Sequence, residues 1–221
     1  MNNVSRKNHI QFLRAFSVIL VVFYHLKLDL FSKGYLGVDI FFVISGYVIT
    51  LRIYKDYLSH GKVLIKDFFI RRFKRIFPVL IFVVISVLFT FLVFGPPDLT
   101  FKAANGAFYS IFGISNIYFW IKERDYFDTV FDDPFGHTWS LGVEEQFYII
   151  YPLILYSLFV IIKKNKEIII SRIFLIIFIL LVSFSVYLSN TNPNLVFYFP
   201  IFRFWEFLAG CIAFLIFKDS N

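Results

Sequence analysis

Long apolar runs separated by short polar stretches make up most of this 221-residue chain. A transmembrane helix needs about 20 mostly apolar residues, and about six of the runs approach or reach that length. The pattern therefore predicts an all-α fold, a polytopic transmembrane helix bundle. The predicted spans cover residues 10–28, 36–53, 76–94, 147–162, 168–188 and 199–217.

One further segment, residues 103–121, is less apolar than the others. It contains Asn105, Ser110, Ser115 and Asn116. Polar side chains are costly inside a bilayer, so the segment fits either a short re-entrant or interfacial helix or a seventh span. A seventh span would reverse the membrane side of every segment that follows it.

The composition excludes several classes of protein. Hydrophobic residues make up 59% of the chain and charged residues only 17%, which argues against a disordered chain and against a soluble enzyme. The single Cys excludes an intramolecular disulfide and a thiolate cage for a metal. The four His residues do not have the spacing of metal ligands, so no metal site is expected.

The basic residues predict the orientation of the chain, because Lys and Arg concentrate on the cytoplasmic side of a membrane. Arg6 and Lys7 precede the first predicted span, and the segment 95–146 is mostly acidic. We therefore expect a cytoplasmic N-terminus and a multi-pass protein of the inner (cytoplasmic) membrane. The net charge of +7 fits this orientation, and no nucleic-acid partner is expected. The other basic groups are Arg52, Lys55, Lys62, Lys66, Arg71, Arg72, Lys74 and Arg75, and then Lys163, Lys164, Lys166 and Arg172.

Two ionisable residues lie within the first predicted helix. Arg14 and His25 are eleven positions apart, which corresponds to about 16 Å of helical rise and three turns plus about 20°, so both lie on one face. Ionisable groups inside a membrane usually mark a functional site. The alternatives are an Arg14 side chain that extends to the lipid headgroups and a His25 hydrogen bond between helices.

Arg72 and Arg75 form a second candidate group at the start of the third predicted span. They are neighbours at i, i+3 on a helix surface, and guanidinium groups bind phosphate oxygens bidentately. With Arg14 they would form a phosphate-binding entrance on the cytoplasmic side. The alternative is a simple positive-inside anchor.

Carboxylates open two of the predicted helices at their outer ends. Glu144 and Glu145 open the fourth, and Asp39 opens the second, which then runs through Ser45 and Gly46, residues small enough for close helix contact. The alternative for the acidic residues is helix capping, with Ser140 as the N-cap.

Three further residues are candidates for a structural or substrate-binding role. Arg203 and Glu206 have the i, i+3 spacing of an ion pair within the last predicted span. Trp139, like Tyr148, fits either stacking on a sugar ring or an aromatic belt at the membrane interface.

Ordered blocks of sequence across nearly the whole chain resemble acyltransferase family 3, the bacterial integral-membrane O-acyltransferases. The first helix fits the family pattern of an Arg, ten residues and a His, through Arg14 and His25. Arg72 and Arg75 match its R-x-x-R element. The blocks are residues 12–15 (FLRA), 24–25 (YH), 37–46 (GVDIFFVISG), 71–78 (RRFKRIFP), 116–119 (NIYF), 138–148 (TWSLGVEEQFY) and 202–210 (FRFWEFLAG).

The resemblance implies transfer of an acyl group, usually acetyl, from acyl-coenzyme A to a hydroxyl of a cell-envelope polysaccharide or another glycan. No cofactor is then bound permanently, and the partners are the acyl-coenzyme A donor, the glycan acceptor and the lipid bilayer. His25 would act as a general base or as a nucleophile. A carboxylate would fix its tautomer, with Glu144 or Glu145 as first candidate and Asp39 as second.

The chain departs from the family in its length, because members usually continue through further transmembrane helices. We therefore expect residues 1–221 to form a single transmembrane acyltransferase-like domain that is truncated at its C-terminus. A truncated, non-catalytic remnant is the first alternative. A membrane carrier lined by the Arg and His residues is the second, although the Gly/Pro-interrupted helices and inverted repeat common in transporters are not evident.

Overall fold

A computed structural model of the chain describes residues 3–122, 133–162 and 166–218. The described residues form α-helices joined by short turns, and no strand occurs among them. The predicted all-α fold is thus confirmed. The helices are α1 (Asn3–His25), α2 (Gly37–His60), α3 (Ile65–Phe94), α4 (Pro97–Ile111), α5 (Ser115–Ile121), α6 (Trp139–Ile161), α7 (Lys166–Ser189), α8 (Pro193–Tyr198) and α9 (Phe204–Phe217).

Four helical segments in the described part of the chain are long and apolar enough to cross a membrane. They contain α2, α3, α6 and α7, each close to a span predicted from the sequence. Helix α1 has 23 residues, but its polar residues lower its mean hydropathy. It is therefore not among these four segments. Helix α9 is shorter, with 14 residues. The total of six spans and the cytoplasmic N-terminus stay predictions.

The less apolar segment 103–121 is divided between two helices. Helix α4 has 15 residues and α5 has seven, and both are shorter than the roughly 17 residues that a span requires. Gly113 lies between them at φ 66°, a left-handed conformation that few residues other than glycine adopt readily. The break favours a short helix over a seventh span.

Some of the charges used to predict orientation lie outside the described residues. They are Lys163, Lys164 and the charged residues between positions 123 and 132.

The chain divides into two compact units. Unit one comprises Met1–Val63, Leu155–Ser183 and Phe204–Asn221. In it, α2 and α9 approach each other at two glycines: a Cβ on Gly46 would collide with the Phe207 carbonyl oxygen, and one on Gly210 with that of Val43. The close helix contact predicted for Gly46 is therefore confirmed.

The start of α2 also packs tightly against α1 in unit one. A Cβ on Gly34 would collide with the backbone oxygen of Leu20, and one on Gly37 with the backbone oxygen of Ser17. Because backbone atoms cannot move aside as a flexible side chain can, these glycines fix the distance between the two helices. Helix α1, which carries Arg14 and His25, is thereby held against the beginning of α2.

A polar cluster connects α2, α7 and the residue after α9 within unit one. The Lys218 ammonium donates to the Tyr54 hydroxyl at 2.7 Å and lies 3.1 Å from Glu167 Oε1. Tyr54 in turn donates to the same carboxylate oxygen at 3.0 Å. Burial lowers the pKa of Lys218, but its hydrogen bonds to Tyr54 and Glu167 outweigh this effect and raise the pKa above its usual value. The ammonium therefore remains charged within the cluster.

Unit two comprises Leu64–Ile154 and Phe184–Arg203. One hydrophobic cluster of its core contains Leu80 and Val84 of α3, Ala103 and Ala107 of α4, and Phe135. Thr100 at the start of α4 donates to the backbone oxygen of Phe91 at 2.9 Å, so α4 folds back along α3. The small alanine side chains allow this close return.

Replacing Gly46 with Val is expected to weaken the α2–α9 contact by about 1–3 kcal/mol, because the added atoms meet backbone rather than movable side chains. Thermal unfolding of the protein in detergent would measure the change. Ala15→Val adds similar bulk at an exposed position of α1 and should leave the midpoint nearly unchanged. Equal midpoints for both variants would contradict the close contact.

Candidate active site

Arg14 and His25 lie on one uninterrupted helix, as predicted. Helix α1 ends at His25, and the ring of this residue is exposed. Arg14 is half-buried, with its guanidinium carbon 5.1 Å from the centre of the Phe41 ring on α2. Arg14 thus contacts a neighbouring helix, which the simple lipid-headgroup alternative did not anticipate.

The hydrogen bond of His25 defines its basic nitrogen. Nδ1 lies 2.8 Å from the backbone oxygen of Val21. A carbonyl oxygen can only accept, so Nδ1 carries the proton and donates it. In the neutral ring, Nε2 then has the lone pair and is the nitrogen able to accept a proton or attack a carbonyl carbon. The carboxylate partner expected for His25 stays a prediction.

Asp39 lies in the first turn of α2 and is half-buried. A carboxylate in this position interacts favourably with the helix dipole, so the structural interpretation of Asp39 fits the geometry. Its helix begins beside α1 through the contacts of Gly34 and Gly37. Asp39 thus belongs to the same unit as His25, and its catalytic role stays a prediction.

Arg72, Glu144 and Tyr148 form a closed constellation in unit two. Arg72 Nη2 lies 3.3 Å from Glu144 Oε1, and the Tyr148 hydroxyl donates to the same oxygen. The guanidinium carbon of Arg72 is 3.1 Å from the centre of the Tyr148 ring. Glu144 is only 7% exposed. A buried carboxylate requires a counter-charge and hydrogen-bond donors, and Arg72 and Tyr148 supply both.

The sequence predicted that Arg72 lies on the inner side of the membrane and Glu144 on the outer side. Their ion pair shows that the predicted separation is wrong. The ion pair places the two side chains at one level of unit two. The physical reason is the short α4, whose 15 residues rise only about 22 Å. Leu141, near the start of α6, therefore packs against the cluster that contains Leu80, midway along α3.

The capping alternative for Glu144 and Glu145 is wrong. Helix α6 begins at Trp139, its first turn contains no acidic residue, and both carboxylates lie beyond that turn. Ser140 is inside the helix and donates to the backbone oxygen of His137 at 3.3 Å. Glu145 is half-buried, with its carboxylate against Gly113. A favourable interaction with the helix N-terminus therefore does not account for the position of either glutamate.

A buried polar network that the sequence analysis did not assign surrounds the start of α6. Gln146 donates to the Gly113 backbone oxygen at 2.8 Å and to Asn116 Oδ1 at 2.9 Å. Asn116 donates to the backbone oxygen of Tyr198 at 3.1 Å. In the sequence, the only indication of this network is the unusual polarity of the segment 103–121. Its hydrogen bonds pair polar groups that would otherwise be buried without partners.

Ser110, Ser115 and Thr138 extend this network. The hydroxyls of Ser110 and Thr138 are 2.6 Å apart, and Ser115 donates to the Thr138 backbone oxygen at 2.8 Å. A Cβ on Gly142 would lie only 2.6 Å from Asn116 Oδ1. These polar residues and the glycine thus hold α4, α5 and α6 together. Glu144 takes no part in these contacts.

Trp139 and Arg203 contact each other in unit two. The Arg203 guanidinium carbon lies 5.6 Å from the centres of both the Trp139 and Phe197 rings. Trp139 is 2% exposed, so its ring is available neither to a sugar nor to an interfacial belt. Arg203 precedes α9, whereas the buried Glu206 lies within its first turn and in unit one. The Arg203–Glu206 pair stays a prediction.

Arg72 and Arg75 have different surroundings although they are neighbours on α3. Arg72 is half-buried beside Glu144, and Arg75 is exposed. Arg75 is therefore accessible to an anion in a way that Arg72 is not. In residues 3–122, 133–162 and 166–218, no three His, Cys, Asp or Glu side chains are grouped so that they could hold a metal ion.

A sequence model of a known family, described as an acyltransferase domain, matches residues 8–220. The chain belongs to acyltransferase family 3. The matched range includes parts of both units and every candidate site residue. Together with its apolar helices, family membership makes this a membrane protein.

Curated relatives extend the comparison for this family 3 chain. O-acetyltransferase OatA of Staphylococcus aureus is 37% identical over 201 residues, which cover 90% of the chain and 33% of OatA. A putative O-acetyltransferase of the same species is 40% identical over 156 residues, covering 71% of the chain and 26% of that protein. The chain thus spans a third or less of the length of these relatives. No solved structure matches it.

Replacing Gln146 with Ala is expected to destabilise the family 3 fold by about 1–3 kcal/mol, because buried acceptors at Gly113 and Asn116 lose their donor. The midpoint of thermal unfolding in detergent measures this loss. Gln11→Ala, at an exposed position of α1, is the matched control and should change the midpoint little. A Gln146 variant as stable as that control would show that the network contributes nothing.

Proposed function

We propose that this chain carries the site of an O-acetyltransferase that moves an acetyl group from acetyl-coenzyme A to a hydroxyl of a cell-envelope polysaccharide. The observation that carries the proposal is the 37% identity, over 90% of the chain, to a protein named O-acetyltransferase. The Arg14–His25 helix and the buried Glu144 constellation give this activity a chemical basis. The proposed location is the cytoplasmic membrane.

The donor is proposed to bind through its phosphate groups. Arg14 and Arg75 are the candidates, because guanidinium groups match phosphate oxygens in both charge and geometry. Arg75 is exposed and Arg14 is half-buried. Arg72 was a third candidate, but its guanidinium is engaged by Glu144 and Tyr148. We therefore propose Arg14 in unit one and Arg75 in unit two, each considered by itself, as phosphate-binding residues.

His25 is proposed to act as the general base. Its Nε2 takes the proton of the acceptor hydroxyl as the hydroxyl oxygen attacks the thioester carbon. The carbon–oxygen ester bond forms, the carbon–sulfur bond breaks, and the thiolate of coenzyme A takes up a proton. The Nδ1 hydrogen bond to Val21 supports this assignment, because it holds the ring with Nε2 as the basic atom.

Asp39 is proposed to stabilise the positive charge that develops on His25. Asp39 is favoured for a direct role because α1 and the start of α2 pack together in the same unit. Glu144 and Glu145 are retained as catalytic carboxylates. Their burial in α6 beyond the first turn supports a role other than helix capping.

His25→Ala is expected to reduce acetyl transfer by at least about 100-fold, the lower range for loss of a general base. Membranes that carry the protein would be incubated with labelled acetyl-coenzyme A and isolated envelope polysaccharide, and labelled ester counted. His9→Ala, at an exposed position of the same helix, is the control for membrane insertion and should retain activity. Unchanged transfer by the His25 variant would refute its catalytic role.

Arg75→Ala is expected to raise the KM for acetyl-coenzyme A by about tenfold while kcat changes little, because lost ground-state binding acts on KM. The same assay, with the donor concentration varied, measures both constants. Lys74→Ala removes a charge from the adjacent exposed position and controls for general loss of positive potential. An identical KM for the two variants would remove Arg75 from the donor site.

A further inference from the structure

Arg72 is already engaged by two side chains of α6. Its N–H edge faces Glu144 and its flat face lies on the Tyr148 ring. A phosphate that bound through Nη2 would compete with Glu144 for this nitrogen. Displacement of Glu144 would leave a buried carboxylate without its counter-charge, which is strongly unfavourable. The structure thus links Arg72 to Glu144 rather than to the donor.

Tyr148 is equally unsuited to stacking on a sugar ring. It is 5% exposed, and the Arg72 guanidinium covers a face of its ring. Phe68 of α3 packs edge-on against it, with the ring centres 6.5 Å apart. An acceptor sugar would need an accessible aromatic face, so the aromatic-platform interpretation of Tyr148 is not compatible with this burial.

The position of Tyr148 on α6 explains its contact with Glu144. The two residues are separated by four positions, and residues at i and i+4 lie on the same face of a helix. The Tyr148 hydroxyl therefore reaches Oε1 from within the same helix, and Arg72 reaches this oxygen from α3. Two donors on different helices fix one carboxylate oxygen.

We infer that Tyr148 is a positioning residue for the Glu144 carboxylate in acyl transfer. Its hydroxyl fixes the orientation of the carboxylate, and its ring holds the Arg72 guanidinium that balances the negative charge. The inference rests on the proposed function, in which Glu144 is a catalytic carboxylate. It moves Arg72 from the donor site to this positioning constellation.

The first test separates positioning from donor binding. Tyr148→Phe keeps the ring and removes only the hydroxyl. We expect kcat for acetyl transfer to fall about tenfold or more, the effect of losing a hydrogen bond to a charged group, with an unchanged KM for acetyl-coenzyme A. Tyr156→Phe makes the same change at a half-buried position of α6 and should retain wild-type kcat. Wild-type kcat in the Tyr148 variant would overturn the inference.

Arg72→Lys tests the other half of the constellation. Lysine keeps the charge but loses the planar fork and the flat stacking face, so kcat is expected to fall while the KM for acetyl-coenzyme A stays constant. A higher KM with wild-type kcat would overturn the inference by returning Arg72 to the donor site.

A double-mutant cycle distinguishes failure of the inference from failure of the proposed function. Tyr148→Phe, Glu144→Gln and the double variant are compared by thermal unfolding of the full chain in detergent. Residues in direct contact give non-additive effects, so the double variant should lose less than the summed single losses. Additive losses would overturn the inference even with an active wild type. Absence of acetyl transfer by wild-type membranes, with coupling retained, would instead overturn the proposed function.

Discussion

An ion pair with a buried carboxylate joins α3 to α6 within unit two. Glu144 lies inside the protein with little exposure, and a charge removed from water is tolerated only when it is paired and hydrogen-bonded. Its partners are Arg72 on α3 and Tyr148 on α6. Because Arg72 lies near the beginning of α3, the early turns of α6 must come alongside that part of α3.

The short helices between α3 and α6 make this arrangement possible. Helix α4 returns along α3 for only 15 residues, and the chain then turns at Gly113 into α5. The backbone and side-chain polar groups exposed by this irregular path need partners that lipid cannot supply. Gln146 and Asn116 satisfy several of them. On α6, Gln146 therefore belongs to the polar network that holds the short helices. Glu144 and Tyr148 belong to the constellation with Arg72.

In unit one, contacts at two glycines determine where α1, which carries Arg14 and His25, lies against α2. Backbone contacts at Gly34 and Gly37 hold α1 against the start of α2, so Arg14 and His25 are presented on a rigid element. Local geometry then orients the imidazole, because Nδ1–H of His25 donates a hydrogen bond to the Val21 backbone oxygen. The proposed role of His25 as general base requires a ring with a defined lone pair, and the helix backbone provides the contact that orients this ring.

The sequence alone determined the helical class, most of the apolar helices, the shared helix of Arg14 and His25, and the close contact at Gly46. These features follow from local composition, periodicity and side-chain size. Only the tertiary structure decided that Arg72 pairs with Glu144, that α6 begins at Trp139, and that Tyr148 and Trp139 are buried. Charge partners distant in sequence cannot be deduced from spacing, because a basic cluster suits an anchor, a phosphate site or an ion pair equally well. The choice among them depends on how far the chain folds back, and a helix of 15 residues and one left-handed glycine set that distance.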